Sequence, residues 1–216
     1  ELELDPVLPS TDRALVAGVR VVVDHRRASL PGYGHMAIHP YPTELVDDVL
    51  LRDGTKLHVR PIRPEDAELE RRFVNGLSEE SRFFRFFYRM HELSPGMLAR
   101  FTQVDYDREM ALVGVVDDPA APEGVSFVGV ARFIQNPDNE SAEYAIVVGD
   151  DWQGRGIARA MMQRLIAFAK KKGLLRLEGA VLKANANMVK FVTGLGFEVH
   201  DDPSDPDQHM TVLKLA

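Results

Sequence analysis

The chain alternates between short apolar runs and amphipathic segments, a pattern that predicts a mixed β-sheet covered by helices. From residue 49 onward, alternating or continuously apolar runs mark strands, and apolar residues spaced three or four apart mark helices. The predicted strands are a hairpin at 49–62, then 109–116, 125–134, 142–148, 175–182 and 209–215. The predicted helices are 64–76, 78–90, one that begins at 94, 154–172 and 185–193. An α/β fold follows, in which helices after residues 148 and 182 connect parallel neighbouring strands.

The beginning of the chain has a different pattern. Residues 1–24 are predicted to form two strands around a polar turn, a hairpin too small to be stable alone. Residues 25–48 are rich in proline and glycine, which is typical of a linker. We therefore predict a hairpin at 1–24, a linker at 25–48 and a globular domain at 49–216. Because Glu1 stands in the middle of a predicted strand, we expect the chain to be a piece of a longer protein.

Composition narrows the range of functions. Acidic residues outnumber basic ones by 33 to 26, and the resulting net charge of -7 argues against nucleic acid or an anionic membrane as partner. The chain has no cysteine, which excludes disulfides, thiolate nucleophiles and cysteine metal sites and fits a reducing compartment. The seven histidines show no ligand spacing, so we predict no metal. No apolar run reaches the roughly 20 residues of a membrane span, and we expect a soluble, cytoplasmic protein.

The segment 144–173 is the strongest candidate for a binding site, because a strand passes there through a glycine-bearing turn into an amphipathic helix. Gly154 and Gly156 allow the backbone to approach a ligand closely, and the helix start presents unpaired N–H groups, which together favour an anion. The segment is not a Walker loop, because Arg155 and Gly156 stand where Lys and Ser or Thr are required. It is not a dinucleotide fingerprint either, because Arg159 replaces the third glycine. A glycine-rich helix start without any ligand is the alternative.

Two stretches resemble signatures of the GNAT superfamily of N-acetyltransferases. Residues 153–158, Gln-Gly-Arg-Gly-Ile-Ala, resemble the loop that holds the pyrophosphate of acyl-CoA. Asn185 and the pair Gly196-Phe197 resemble the next signature, a helix opened by Asn and closed by Gly-Phe. The resemblance implies the GNAT acyl-CoA N-acyltransferase fold, with acetyl-CoA as cosubstrate and no metal. The contacts it implies for acetyl-CoA are Ile146, Val147, Val148, Gln153, Gly154, Arg155, Gly156, Ile157, Ala158 and Asn185.

The front half of the chain is similar to one branch of that superfamily. Residues 51–73, 77–87 and 98–113 resemble the acetyltransferase domain of Pat-type protein lysine acetyltransferases, which in that family follows an ADP-forming acyl-CoA synthetase-like region. Residues 1–24 resemble the last strands of the ATP-grasp part of that region. The resemblance implies that the hairpin is a remnant of that part, too short to bind ATP.

Acetyl transfer to an amine requires a proton acceptor, because a lysine ammonium with a pKa near 10.4 is protonated at neutral pH. Glu143 is the first candidate: alternation along its strand places it with Ala145 and Val147, and apolar neighbours would make it a better base. The alternative is a cross-strand ion pair between Glu143 and Arg132. Glu109, at the start of another strand, is the second candidate base, and an exposed acidic rim is its alternative role.

Three further features bear on the chemistry. Backbone N–H groups near Ile146–Val148, where the strand is expected to diverge from its neighbour, would polarise the thioester. Many GNAT members have a tyrosine acid in the last helix, but Val192 stands at that position here, which leaves the proton donor for the thiolate open, with water as a candidate. Residues 82–89 mix arginines with aromatic rings; stacking on single-stranded nucleic acid is one interpretation, and their helical spacing favours core packing instead.

The sequence thus predicts an acetyl-CoA-dependent N-acetyltransferase that acts on a lysine of a partner protein. The resemblance implies an acyl-CoA synthetase as the partner, because such enzymes are the typical targets of the Pat-type family. Two other functions remain open: acetylation of a small-molecule amine by the same fold, and a non-catalytic acyl-CoA sensor within a larger polypeptide.

Overall fold

A computed structural model of the chain describes residues 2–11, 13–21 and 39–215. The chain divides into two compact units, residues 1–37 and residues 38–216. Residues 1, 12 and 22–38, which belong to the predicted hairpin and linker, lie outside the described residues.

The first unit contains an antiparallel ladder of short strands. β1 (Leu2–Leu4) pairs with β4 (Val19–Val21), and β2 (Val7–Pro9) pairs with β3 (Ala14–Val16). The described strands thus form a hairpin, and its origin as a remnant of an ATP-grasp-like region stays a prediction. Most of its described apolar side chains are exposed, as expected for a hairpin without a core of its own.

Within residues 39–215, the second unit is built on an eight-stranded mixed sheet with helices on both faces. Its strands are β5 (Asp47–Leu50), β6 (Lys56–Pro61), β7 (Glu109–Asp117), β8 (Val125–Gln135), β9 (Ser141–Val148), β10 (Arg176–Leu182), β11 (Glu198–Asp201) and β12 (Gln208–Lys214). Its helices are α1 (Ala67–Gly76), α2 (Glu79–Phe86), α3 (Pro95–Thr102), α4 (Ile157–Lys171) and α5 (Ala186–Thr193), with 3₁₀ turns at Thr43–Leu45, Pro64–Asp66 and Asp150–Trp152. The predicted fold class is confirmed. No helix in the described ranges is long and apolar enough to span a membrane.

The strand order of the sheet is β11-β12-β10-β9-β8-β7-β6-β5. The crossover through α4 makes β9 and β10 parallel, as predicted. The predicted parallel pair after residue 182 is wrong, because β12 inserts between β10 and β11 and pairs antiparallel with both. β11 was not predicted from the sequence, since three of its four residues are polar.

Two hydrophobic clusters hold the helices against the sheet. One lies under α4 and α5 and includes the fully buried Met161 and Leu165. The other lies under α1, α2 and α3 and includes Phe73. β9 contributes Tyr144 to the first cluster and Val147 to the second, so its alternate side chains face the two helical layers.

The contacts of residues 41–48 lie within the second unit, although the sequence predicted a linker through residue 48. Tyr41 donates its hydroxyl hydrogen to the carbonyl oxygen of Pro61 at 2.9 Å. Leu45 packs against the core, and β5 begins at Asp47. The stretch is polar and rich in proline, so its composition indicated a linker and did not predict the contacts of Tyr41 and Leu45.

Candidate active site

A cleft opens where β9 and β10 diverge. The two strands pair only over Ser141–Glu143 of β9, although β9 continues to Val148 and β10 to Leu182. Beyond Glu143, the edge of β9 that faces β10 has no strand partner among the described residues. This geometry confirms the predicted divergence near Ile146–Val148, and it leaves backbone amides there available to a ligand.

The cleft has a volume of about 630 Å³, which lies within the range of small-molecule sites. Its walls come from β9 and β10, from the starts of α4 and α5, and from α2. All of the predicted acetyl-CoA contacts except Arg155 line it: Ile146, Val147, Val148, Gln153, Gly154, Gly156, Ile157, Ala158 and Asn185.

The loop before α4 has the backbone geometry of an anion cradle. Gly154 and Gly156 have φ values of 76° and 91°, in the left-handed region that residues other than glycine rarely adopt. A Cβ atom on either glycine would find no other heavy atom within 4 Å, so the space above the loop is open to a ligand. Gly156 caps α4, whose first-turn N–H groups have no intrahelical acceptor. Open space, unpaired amides and the positive end of a helix dipole fit the pyrophosphate of acetyl-CoA.

The side chain of Arg155 is directed away from this cleft. Its guanidinium lies 3.1 Å from a carboxylate oxygen of Asp53 and 3.0 Å from the carbonyl oxygen of Asp151. It also lies over the ring of Trp152, at 4.6 Å from the centroid. The acidic turn between β5 and β6 thus holds Arg155, and only the backbone of this residue belongs to the loop.

Glu143 lies in the cleft with its side chain exposed. It lies opposite Ile134, and Arg132 lies two positions further along β8, because Gln135 pairs with Ala142. The ion pair with Arg132 is therefore not formed, since the turn between β8 and β9 is longer than the sequence suggested. The predicted apolar surroundings are also wrong, because the side chain of Glu143 is exposed even where β9 still pairs with β10.

Glu109 does not line the cleft and is held in an ion pair. Its carboxylate accepts a hydrogen bond from Arg100 at 2.7 Å. Glu109 and Glu143 both lie opposite Ile134, so they share one face of the sheet about 10 Å apart. Glu109 therefore has no place in the cleft, and its side chain, only 15% exposed and paired with Arg100, does not form the exposed acidic rim that was the alternative either. In the described part of the chain, no three His, Asp or Glu residues are placed to hold a metal.

Neither the residue at the family's tyrosine position nor the tyrosine in the cleft can donate a proton to the leaving thiolate. Val192 is fully buried in the core. Tyr144 lines the cleft, but its hydroxyl oxygen lies 2.7 Å from Oγ1 of Thr211, which itself donates to the carbonyl oxygen of Gly179. Tyr144 is therefore the donor in this chain of hydrogen bonds. Burial raises the pKa of Tyr144 to about 12, although the hydrogen bond with Thr211 acts in the opposite direction.

Three hydrogen bonds join the start of α2 to the loop before α4. The sequence did not reveal them. The carboxylate of Asp150 accepts hydrogen bonds from the backbone N–H of Ser78 at 2.8 Å and from its hydroxyl at 2.9 Å. The hydroxyl of Ser81 adds a third bond at 2.6 Å. Burial alone would raise the pKa of Asp150, but these bonds outweigh burial and lower it. Ser78 was predicted only as a helix cap; its partner lies 72 residues away.

The end of α2 forms part of the cleft wall. Phe86 packs against the core, with its ring stacked on Phe101 at 6.0 Å between centroids. The core packing predicted for this aromatic run is therefore confirmed for Phe86 but wrong for Phe83 and Tyr88, which are exposed. Phe87, in a left-handed conformation with φ of 63°, remains exposed and lines the cleft. Arg85 lines the cleft together with Glu143 and was not predicted as a site residue.

The fold and the cleft define a class of protein: transferases that hold a phosphate-bearing acyl donor at a helix start, beside a strand whose free edge carries the acyl group. A family model described as the acetyltransferase (GNAT) family matches residues 77–197, a span that contains the cleft. The chain therefore belongs to the GNAT family, and it is an acetyltransferase that uses acetyl-CoA.

Named relatives agree with this assignment. An acetyltransferase of Pseudomonas aeruginosa is 34% identical over 165 residues, which cover 76% of this chain and 87% of that protein. Acetyltransferase Pat of Mycolicibacterium smegmatis is 33% identical over 151 residues, and the match covers 68% of this chain but only 43% of Pat. The crystal structure of the GNAT domain of S. lividans PAT has a TM-score of 0.72 at 30% identity, with 82% of this chain and 100% of that chain covered.

Proposed function

We propose that the domain is an acetyl-CoA-dependent protein lysine N-acetyltransferase whose substrate is a partner protein such as an acyl-CoA synthetase. One observation carries the proposal: Glu143 lines the same cleft as Gly154 and Gly156 of the glycine loop. The carboxylate would act as the base and the loop would bind the acyl donor, so the proposed base and the proposed donor site open onto one cleft. Similarity of residues 51–113 to Pat-type enzymes, together with relatives named Pat, supports a protein lysine as the acceptor.

In the proposed reaction, the nitrogen of the lysine attacks the thioester carbonyl, so that a C–N bond forms and the C–S bond breaks. Of the three ammonium hydrogens, one stays on the amide, one passes to the carboxylate of Glu143, and one reaches the leaving sulfur through water. The backbone N–H groups of Ile146 and Val148, which alternate with the N–H of Val147 that faces β8, would stabilise the oxyanion at the edge from which β10 has diverged. Gly154 and Gly156 hold the pyrophosphate.

The proposed base must make deprotonation of the lysine ammonium feasible at neutral pH. Deprotonating a lysine with a pKa near 10.4 at neutral pH costs about 4 to 5 kcal/mol. General base catalysis typically contributes a factor of about 10² to 10⁴. Replacement of Glu143 by the neutral isostere Gln should therefore lower kcat by at least about 100-fold, while coenzyme A binding stays unchanged.

The test is incubation of the protein with labelled acetyl-CoA and a folded acyl-CoA synthetase, followed by mapping of the acetylated lysine. Glu143→Gln is compared with Glu109→Gln, which removes a carboxylate from the same face of the sheet outside the cleft. We expect loss of transfer only for Glu143→Gln. Equal losses for the two variants would contradict the assignment of the base.

The choice of acceptor is tested separately with polyamines, aminoglycosides and free amino acids. Turnover of one of these amines without acetylation of any protein from a cytoplasmic lysate would overturn the protein-lysine proposal. Coenzyme A binding with no transfer to either class of acceptor would identify the domain as a sensor.

A further inference from the structure

An exposed aromatic residue at the end of α2 has a backbone conformation that favours glycine. Phe87 has φ of 63° and ψ of 7°, in the left-handed region, and its N–H donates to the carbonyl oxygen of Phe83 at 2.8 Å. Helices often end in this way, but the residue is usually glycine, because a side chain there crowds the backbone. For a bulky residue the conformation is a genuine outlier. The presence of phenylalanine therefore calls for an explanation outside the backbone.

Packing within the fold does not account for the phenyl ring. Phe87 is 40% exposed and belongs to neither hydrophobic cluster. Within residues 39–215 its ring pairs with no other aromatic ring, whereas Phe86 stacks on Phe101 and lies 6.4 Å from Tyr88 between ring centroids. Phe83 and Tyr88 are exposed as well, but they do not line the cleft. Of these three exposed rings, that of Phe87 is the one placed to meet a ligand in the cleft.

The start of α2 lies beside the glycine loop, and its end lies well away from that loop. Asp150, two residues after the last residue of β9, accepts the hydrogen bonds of Ser78 and Ser81. Ser78 caps α2, and Phe87 follows nine residues later, which corresponds to about 13 Å at the 1.5 Å rise of a helix. Phe87 therefore lies at the end of the cleft wall opposite the proposed pyrophosphate site.

The end of α2 packs over the part of β9 that contains Glu143. Phe86 stacks on Phe101, and the guanidinium of Arg132 lies over the Phe101 ring at 4.8 Å from its centroid. Arg132 pairs in register with the residue of β9 two positions after Glu143. Because side chains alternate along a strand, Arg132 and Glu143 lie on the same face of the sheet. The ring of Phe87 and the carboxylate of Glu143 therefore border the same end of one cleft.

On the basis of the proposed function, we propose that Phe87 is a specificity-determining residue whose ring packs on the aliphatic stem of the acceptor lysine while Glu143 receives the proton of its amine. A lysine side chain combines a flexible four-carbon stem with a compact charge at its tip. An exposed ring beside a carboxylate matches both parts, and the face of the ring also attracts the ammonium group. Contact with the substrate thus explains why a strained phenylalanine stands where the backbone favours glycine.

The test uses the opposite demands that stability and function make on residue 87. Phe87→Gly in the full chain relieves the backbone, so the free energy of unfolding in urea should stay the same or rise. In initial-rate kinetics with a folded acyl-CoA synthetase as acceptor, the KM for the acceptor should rise at least about tenfold, as expected for loss of one apolar contact in a binding pocket. The kcat and the KM for acetyl-CoA should not change, because the removed contact binds the acceptor in the ground state and in the transition state alike.

Conservative variants and matched controls separate this effect from damage to the fold. Phe87→Tyr keeps the ring and should keep the KM of the wild type for the acceptor. Phe87→Asn also tolerates the left-handed conformation and should behave like Phe87→Gly, so it decides the question if the glycine variant does not fold. Phe83→Ala removes a ring of almost equal exposure, 39%, outside the cleft lining. Asn139→Gly changes the other described non-glycine residue with positive φ, also outside that lining, and neither control should alter the KM for the acceptor.

Two results would overturn the inference. One is a KM for the acceptor that stays at the wild-type value in Phe87→Gly, because the ring would then not contact the lysine. The other is a raised KM for acetyl-CoA with an unchanged KM for the acceptor, because the ring would then contact the acyl donor. Absence of acetyl transfer to any protein by the wild type would instead refute the proposed function, and this inference with it, so the two failures are distinguishable.

Discussion

At the scale of single residues, the glycines before α4 have the geometry expected of a binding loop rather than of a packing position. Gly154, Gly156 and Gly173 all have positive φ, and a Cβ atom on any of them would meet nothing within 4 Å. Gly173 ends α4 far along the chain from the cleft, whereas the other two line it. The same backbone conformation therefore occurs inside and outside the cleft, which provides a matched pair of sites.

We expect Gly156→Ala to weaken coenzyme A binding at least tenfold, because its Cβ atom would occupy the space above the loop. An alanine in left-handed geometry also costs about 1 to 2 kcal/mol of stability. Gly173→Ala should show a similar loss of stability in urea unfolding but unchanged affinity in titration calorimetry. Equal affinities for the two variants would show that the pyrophosphate does not contact this loop.

The sequence predicted those site residues whose signal is local. Gly156 and Asn185 stand at fixed positions relative to a helix start, and residue type and spacing alone identify them. Glu143 was found by residue type, but its surroundings were predicted wrongly because a turn two residues longer changed its cross-strand partner. Asp150 was missed, since its hydrogen bonds join it to Ser78, 72 positions away, which no local pattern encodes.

At the scale of elements, one buried chain of hydrogen bonds connects three strands below the cleft. Tyr144 of β9 donates to Thr211 of β12, and Thr211 donates to the carbonyl oxygen of Gly179 in β10. Thr211 is fully buried. The chain crosses the region where β9 and β10 are parting, so it fixes the strands just inside the divergence.

We expect Thr211→Val to destabilise the protein by about 1 to 3 kcal/mol, because it leaves the hydroxyl of Tyr144 buried without an acceptor. Tyr144→Phe should cost about 1 kcal/mol, and adding it to Thr211→Val should restore part of the loss, since no unsatisfied hydroxyl then remains. Urea unfolding of the wild type, the two single variants and the double variant measures the coupling free energy between Tyr144 and Thr211. Strictly additive losses would indicate that water already satisfies these groups.

The sequence predicted the strands near the cleft better than it predicted their order. Periodicity reveals that β9 and β10 are strands and that a helix between them makes them parallel. Periodicity does not show that β12 lies between β10 and β11. Strand order depends instead on which strand edges are free after the rest of the sheet has formed. The short β11 lacks the apolar run that would have marked it.

At the scale of the whole molecule, the boundary of the catalytic unit is a testable property. Composition placed it at residue 49, whereas contacts within the second unit begin before that position. Tyr41 bonds Pro61, Leu45 packs on the core, and Asp47 pairs with Arg164 of α4. All residues that line the cleft lie well after either boundary.

Two truncations distinguish these boundaries. A chain of residues 38–216 should fold and bind coenzyme A with the affinity of the full chain, since it keeps every cleft residue and all of β5. A chain of residues 49–216 should lose the Tyr41 hydrogen bond, the packing of Leu45 and half of β5. Together these contacts contribute about 2 to 4 kcal/mol to the free energy of unfolding. The sum comprises one hydrogen bond, one buried apolar side chain and an edge-strand pair.

In thermal unfolding, the shorter chain should therefore have a Tm lower by about 5 to 10 °C for a domain of this size. Its coenzyme A affinity, measured well below that Tm, should match that of the longer chain, because none of the residues removed lines the cleft. Equal Tm values would show that residues 38–48 act as a linker. Loss of affinity in the longer chain would mean that residues before 38 contribute to acyl-donor binding.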